Sequence, residues 1–588
     1  MPLSRNSNRS TRAKKRLSGV VVSVAVTVTT AGLAVAYANG ASATPRAATS
    51  QAATLQAATL QAATSDAAPP ACSRGTTVQI KDGPVCGLTT HAQTSYLDIP
   101  YAAPPLGQLR WQPPQPPAPW TSTLQATRRS PECLSPGFPP GSPPTAGTSE
   151  NCLYLEVQKP ADVKPGENLP VMFEIHGGGF LGTARTDDGA NLVRSGPVIY
   201  VFANYRLGIL GFLADKALGA HSGDYGLQDQ QFALRWVQDN IARFGGDPHN
   251  VTIFGESAGG ASVCDQVASP TAKGLFQRGI SISGFYNFND NTIWWPADCK
   301  TNLQTEAQAQ QEGATFAASV GCASAANAAA CLRAVPAATL AEKGGQFLEP
   351  FAGGAIGPIA NGTTLPVSPA QAFKTGQVNN VKLMIGVGRD EFNGGIYANF
   401  PGHTIVADTA VQYQQLVRQQ FGSLASTVLR LYPLQRFPSP SPFIAYRTVM
   451  ADAFSVCPAL ASDAQVSKYI PVYAYEDDDS DSPPSPTNTP ETQPLGAYHS
   501  AINRLVHDYP ASLDANQRTL QDQVLAEWTG FARTGWPNVN QTPQWTPYTA
   551  RSPMVMSLMP GGDSTMVPAS AIMTEHNCAF WDAVDSRR

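Results

Sequence analysis

The chain is poor in charge. Only 14% of its 588 residues are Asp, Glu, Lys or Arg, against about 25% in an ordinary soluble protein. Its net charge of -4 leaves no basic excess, which argues against nucleic acid as a partner. No C-x-x-C pair occurs, so a zinc ribbon or thioredoxin-like site is not expected. The first 43 residues contain no acidic group and no twin-arginine pair, and no Cys follows them closely. A lipid-anchored form is therefore not expected.

What is present begins with an export signature. Arg5, Arg9, Arg12, Lys14, Lys15 and Arg16 precede an apolar run from Gly19 to Ala38, and two A-x-A sites follow at Ala36-Tyr37-Ala38 and Ala41-Ser42-Ala43. This is the layout of a secretory signal peptide. Ser23, Thr27, Thr29, Thr30 and Gly32 make the run a poor spanning helix, and no basic stop-transfer flank follows, so no stable membrane insertion is expected after cleavage. Removing residues 1–43 would leave a net charge of -10. Residues 44–70 echo a five-residue Ala-Ala-Thr unit, too short for each repeat to bury a core, and are expected to be a disordered spacer. Ten cysteines, an even number, suit an oxidising compartment.

From Cys72 onward, one large domain over 71–588 is expected. Val171–Ile175, Val198–Asn204, Val251–Phe254, Lys382–Val387 and Ile470–Tyr475 are apolar runs that end at turn signals, as in strands buried on both faces of a parallel sheet. Helical patterns lie between them, including Gln228–Arg243 and the spacing of Leu520, Val524, Trp528 and Phe531. The alternation predicts an α/β fold: a large, mostly parallel sheet covered by helices. The acidic, Pro-rich stretch Glu476–Pro490 reads as a surface loop.

The chemistry concentrates after these strands. Gly255-Glu256-Ser257-Ala258-Gly259 matches G-x-S-x-G, with the Val251–Phe254 strand before it and a small-residue helix start after it. A nucleophile elbow needs that context, because flanking glycines let strand and helix approach around a strained serine. A tight turn with a capping serine is the alternative. His176-Gly177-Gly178-Gly179-Phe180 follows an earlier strand, where backbone N–H groups are placed to hold an oxyanion. The chain order of such sites is Ser, acid, His. Asp390 and Glu391 both follow the Lys382–Val387 strand, and His403, His499, His507 and His576 remain as bases. Glu174, inside the strand before His176, reads as a buried carboxylate satisfied by an Arg.

These motifs sit among others: Pro104-Pro105-Leu106-Gly107 with Arg110, Ser149-Glu150-Asn151-Cys152-Leu153-Tyr154-Leu155, Asn204-Tyr205-Arg206-Leu207-Gly208, and Phe244–Pro248. Together the chain resembles the type-B carboxylesterase and cholinesterase family from about Val78 to Trp581. The resemblance implies an α/β-hydrolase fold with long insertions and a serine carboxylesterase acting through an acyl-enzyme, which the leader signature makes a secreted one. It implies Ser257 as nucleophile, Glu391 rather than Asp390 as acid, His499 as base, and Gly178, Gly179 and Ala258 as oxyanion donors. It also suggests the disulfides Cys133–Cys152, Cys322–Cys331 and Cys457–Cys578, and structural ion pairs Arg110–Glu150 and Arg206–Asp229. Cys72 and Cys86 flank a short hairpin-like stretch and are expected to pair, which leaves Cys264 with Cys299.

Two positions depart from the family pattern. Ile502 stands where a Glu usually follows the His by three, and Phe392 where a Gly commonly follows the acid. The substrate implied is a small-molecule ester, and no metal or organic cofactor is called for. A true lipase acting on long-chain acylglycerols or sterol esters is one alternative. A catalytically silent adhesion protein is another, against which the presence of Ser257, Glu391 and His499 argues. His499 is expected to titrate near its usual value of about 6.5. No choline preference is expected, because the Cys133–Cys152 stretch holds five prolines, no Trp and Phe138 as its single aromatic. Phe138, Trp294 or Trp295 are the residues that would stand in for that Trp.

Overall fold

Runs apolar on both faces can only be buried from both sides, and the architecture follows from that. The computed structural model describes residues 70–586, apart from residue 91 and residues 137–142, 184–188, 286–298, 301–302, 324–325, 348–356, 394–406, 484–494 and 508–512. The expected leader and nearly all of the expected spacer therefore lie outside the described residues.

Among the described residues the main sheet has eleven strands. In chain order they are β1 (Leu88–Thr90), β2 (Gln93–Pro100), β3 (Tyr154–Pro160), β4 (Leu169–Glu174), β5 (Ile199–Ala203), β6 (Gly246–Glu256), β7 (Arg278–Ile282), β8 (Lys382–Gly388), β9 (Val472–Asp477), β10 (Met554–Leu558) and β11 (Thr565–Pro568). Across the sheet they run β1-β2-β3-β5-β4-β6-β7-β8-β9-β10-β11. The seven from β5 to β10 are parallel, and antiparallel strands close both edges. A separate three-stranded sheet joins Val78–Gln79, Pro84–Cys86 and Leu124–Gln125.

The period of two is visible in the core. Val171 and Phe173 of β4, Leu383 and Ile385 of β8 and Val472 and Ala474 of β9 enter one hydrophobic cluster. Their neighbours Met172, Met384, Tyr473 and Tyr475 enter a second on the other face. Helix α1 (Tyr225–Asn240) and helix α2 (Ala258–Ala268) feed the first cluster. Helix α3 (Ala515–Thr534) covers the second, with Leu520, Val524, Trp528 and Phe531 all buried in it. The predicted core strands match observed ones to within two residues at either end, except that β6 begins at Gly246 rather than Val251. Glu476 and Asp477, expected in a loop, complete β9 instead, because they pair with β8 and β10.

Among the described residues no helix is long and apolar enough to cross a membrane. Five disulfides are present: Cys72–Cys86, Cys133–Cys152, Cys264–Cys299, Cys322–Cys331 and Cys457–Cys578.

Candidate active site

Parallel strands deliver their carboxyl ends to one side of the sheet, and ligand sites of open α/β sheets form there. Ser257 follows β6 directly, at φ 59° and ψ -125°, a conformation costing a non-glycine residue roughly 1–3 kcal/mol. The local packing holds it. Ser257 N–H donates to Ile282 O at 3.0 Å. Gly259 lies so close to β4 that a β-carbon there would meet Ile175 O at 2.0 Å. Ala258 opens α2, so its N–H has no intrahelical acceptor.

The glycine loop after β4 reaches the same point. A β-carbon on Gly177 would come within 3.2 Å of Ser257 Cβ. Gly178 and Gly179 both have positive φ, 105° and 65°, which turns the loop sharply. Tyr205 supports it from below: its hydroxyl donates to His176 O at 2.8 Å, and its ring stacks on the His176 ring at 4.2 Å. Gly208 N–H donates to Phe180 O at 2.6 Å. The Asn204–Gly208 motif is therefore a platform for the glycine loop. Its partners are 25 or more residues away in the chain, which is why spacing alone did not reveal this.

The candidate acid follows β8. Glu391 is fully buried. Its Oε1 is hydrogen-bonded to His499 Nδ1. Its Oε2 accepts from Ser283 Oγ at 3.0 Å and from Gly388 N–H at 2.9 Å. Asp390 faces elsewhere and accepts from Ala497 N–H at 3.3 Å. One of the adjacent carboxylates thus meets the imidazole, and the other shapes the loop that carries it. His499 N–H also donates to Glu391 O at 3.0 Å.

The far side of the imidazole faces the elbow. His499 Nε2 lies 3.0 Å from Oε1 of Glu256, the residue before Ser257. Ser500 Oγ donates to that same oxygen at 2.6 Å. Ser283, Glu256 and Ser500 were not singled out by sequence, although Glu256 stood inside the G-x-S-x-G motif in plain view. Burial opposes charge on His499, but the Glu256 and Glu391 carboxylates outweigh it and lift the imidazole to about 10. This corrects the expectation of about 6.5: two buried anions touch the ring where one was anticipated.

The other histidines go elsewhere. His507 Nε2 lies 3.7 Å from Glu174 Oε1, and Tyr200 donates to Glu174 Oε2. His576 sits between Asp452 and Glu476. His403, Phe138, Trp294 and Trp295 lie outside the described residues. Arg110 pairs with Glu150, and Arg206 with Asp229, the latter two at 2.7 Å and almost wholly buried. Among the described residues no group of three or more His, Cys, Asp or Glu side chains is placed to hold a metal ion.

A serine on a strained elbow, a glycine loop against it and a carboxylate–imidazole pair beside it make an arrangement suited to acyl transfer. The comparisons agree. A model described as the carboxylesterase family matches residues 74–581. Para-nitrobenzyl esterase of Bacillus subtilis (strain 168) is 33% identical over 483 residues, covering 79% of this chain and 91% of that protein. Carboxylesterase 1E of Mus musculus is 31% identical over 503 residues, covering 77% and 84%. The solved structure of PNB esterase superposes with a TM-score of 0.66 at 30% identity, covering 85% of this chain and 99% of that one. The chain therefore belongs to the carboxylesterase family, as a serine carboxylic-ester hydrolase on the α/β-hydrolase fold.

Proposed function

We propose that this esterase is secreted and works through an acyl-enzyme formed on Ser257. The observation that carries the mechanism is the bonded line from Glu391 through His499 to the elbow. Neutral His499 accepts the Ser257 proton on Nε2 as Oγ adds to the ester carbonyl carbon. N–H groups of Gly178, Gly179 and Ala258 hold the resulting oxyanion; removing one such donor in a related site costs about 3–4 kcal/mol. His499 returns the proton to the departing alcohol, and the acyl group remains on Ser257. Water then gives a proton to His499, attacks the acyl carbon and releases the acid. Glu391 holds the imidazole tautomer and balances its charge throughout.

Secretion is supported by the leader-like first 43 residues and by five disulfides. The folded unit is taken to begin near Cys72, where the Cys72–Cys86 bridge and the family match both start. The substrates favoured are uncharged esters of short to medium acyl chain.

The test is covalent. An organophosphate should add one phosphoryl group to the wild-type protein by intact mass, on the peptide containing Ser257, and none to Ser257→Ala. The alanine variant should keep the wild-type melting point and lose ester hydrolysis. Activity within about tenfold of wild type in a clean preparation would remove Ser257 from its role.

A further inference from the structure

We propose that Ser500 is a positioning residue for this reaction, setting through Glu256 how firmly the imidazole of His499 is held. The inference rests on the triad proposed above. Ser500 follows the base directly and has φ 71°, a conformation suited to glycine and strained for serine. Its hydroxyl is not idle there. It donates to Glu256 Oε1 at 2.6 Å, and that oxygen also lies 3.0 Å from His499 Nε2. Nε2 is the atom that must take the Ser257 proton. In the resting site it lies against a carboxylate, so the imidazole must first lose its proton and loosen from Glu256.

One carboxylate oxygen therefore serves two donors. A hydroxyl bound to a carboxylate stabilises its charge and makes it a weaker acceptor for anything else. Ser500 loosens the grip of Glu256 on the imidazolium and brings the neutral, working form of His499 to lower pH. The other ionisable groups around the pair do not substitute for it. Glu391, after β8, holds the opposite nitrogen. Tyr475 of β9 feels the charge of both Glu391 and Glu256, and Asp477 of β9 that of Glu391. Asp390 is turned to the backbone of Ala497.

The experiment is the pH profile of kcat/KM for an uncharged p-nitrophenyl ester. The proteins compared are wild type, Ser500→Ala, Ser500→Gly, Glu256→Gln and the Ser500→Ala/Glu256→Gln pair. In Ser500→Ala the acid-limb midpoint should rise by about half a unit to one unit, the order of one hydrogen bond to a carboxylate. Ser500→Gly, which suits the positive φ and keeps the test open should alanine fold poorly, should rise equally. Glu256→Gln should fall below wild type, and the double variant should match Glu256→Gln alone.

A midpoint in Ser500→Ala that falls, or stays within about 0.2 of a unit, overturns the proposal. So does a rise in alanine absent from glycine, which would assign the effect to backbone strain, or a shift that survives in the double variant. Ser257→Ala separates the two layers. If it is inactive while the Ser500 profiles do not move, only the positioning role fails. If it stays active, the triad itself fails.

Discussion

Two histidines in this molecule are clamped in the same way and are surrounded by different chemistry. His499 lies between Glu391 and Glu256. His576 lies between Asp452, at 2.5 Å from Nδ1, and Glu476, at 3.2 Å from Nε2. Both are buried, and both are raised: burial opposes charge on each ring, and paired carboxylates outweigh it. Around His576 stand Tyr432, whose hydroxyl donates to Asp452 at 2.7 Å, Trp581, whose indole donates to that hydroxyl, and the Cys457–Cys578 bridge. Around His499 stand a strained serine, a turning glycine loop and the free start of a helix. A carboxylate–imidazole pair is thus not a site in itself. The neighbours decide whether it moves a proton or locks a tail to a sheet.

The comparison breaks hardest at the acid of the first clamp. Glu391→Gln should lower kcat by about 10⁴, as the corresponding change does in a related triad, while Asp390→Asn should cost far less because its partner is a backbone N–H. A more damaging Asp390→Asn would reverse the assignment.

The second clamp should fail in stability instead. His576→Ala leaves Asp452 and Glu476 buried without their cation, a loss on the order of 3–5 kcal/mol. Calorimetry should record a lower melting point, with kcat/KM of the folded protein within about tenfold of wild type. A large loss of turnover at unchanged stability would bring His576 into the reaction.

Proton affinity sharpens the contrast further. The proposed mechanism requires neutral His499, and its carboxylate partners favour the charged form. The acid limb of kcat/KM should therefore have its midpoint above 6.5, with the rate rising about tenfold per unit below it. A midpoint at or below 6.5 would mean that Glu256 does not hold the imidazole in solution.

The smallest effect concerns choline. The segment between Cys133 and Cys152 contains no Trp to face a quaternary ammonium, a contact worth up to about 2 kcal/mol when desolvated. Butyrylcholine should thus show no advantage over a neutral butyrate ester of similar leaving-group reactivity. An advantage of about tenfold or more in kcat/KM would point to another aromatic in that role.

Local pattern was enough for much of this protein. Apolar runs such as Lys382–Val387 specify buried strands because neither face tolerates water. The glycines of G-x-S-x-G and H-G-G-G announce close backbone approach because no other residue fits. Where two residues compete locally, as Asp390 and Glu391 do, adjacent positions carry the same chemistry, and physical pattern left them open until the family resemblance chose. Position in space alone turns one towards His499 and the other towards Ala497. The antiparallel edges of the sheet belong to the same class, since strands such as Tyr154–Pro160 are set by partners distant in the chain. So do the three oxygens that meet at the imidazole and its clamps, from Ser283, Glu256 and Ser500. Proton affinity is the clearest case. It depends on hydrogen-bond contact between charges on residues more than a hundred positions apart, which only the folded chain creates.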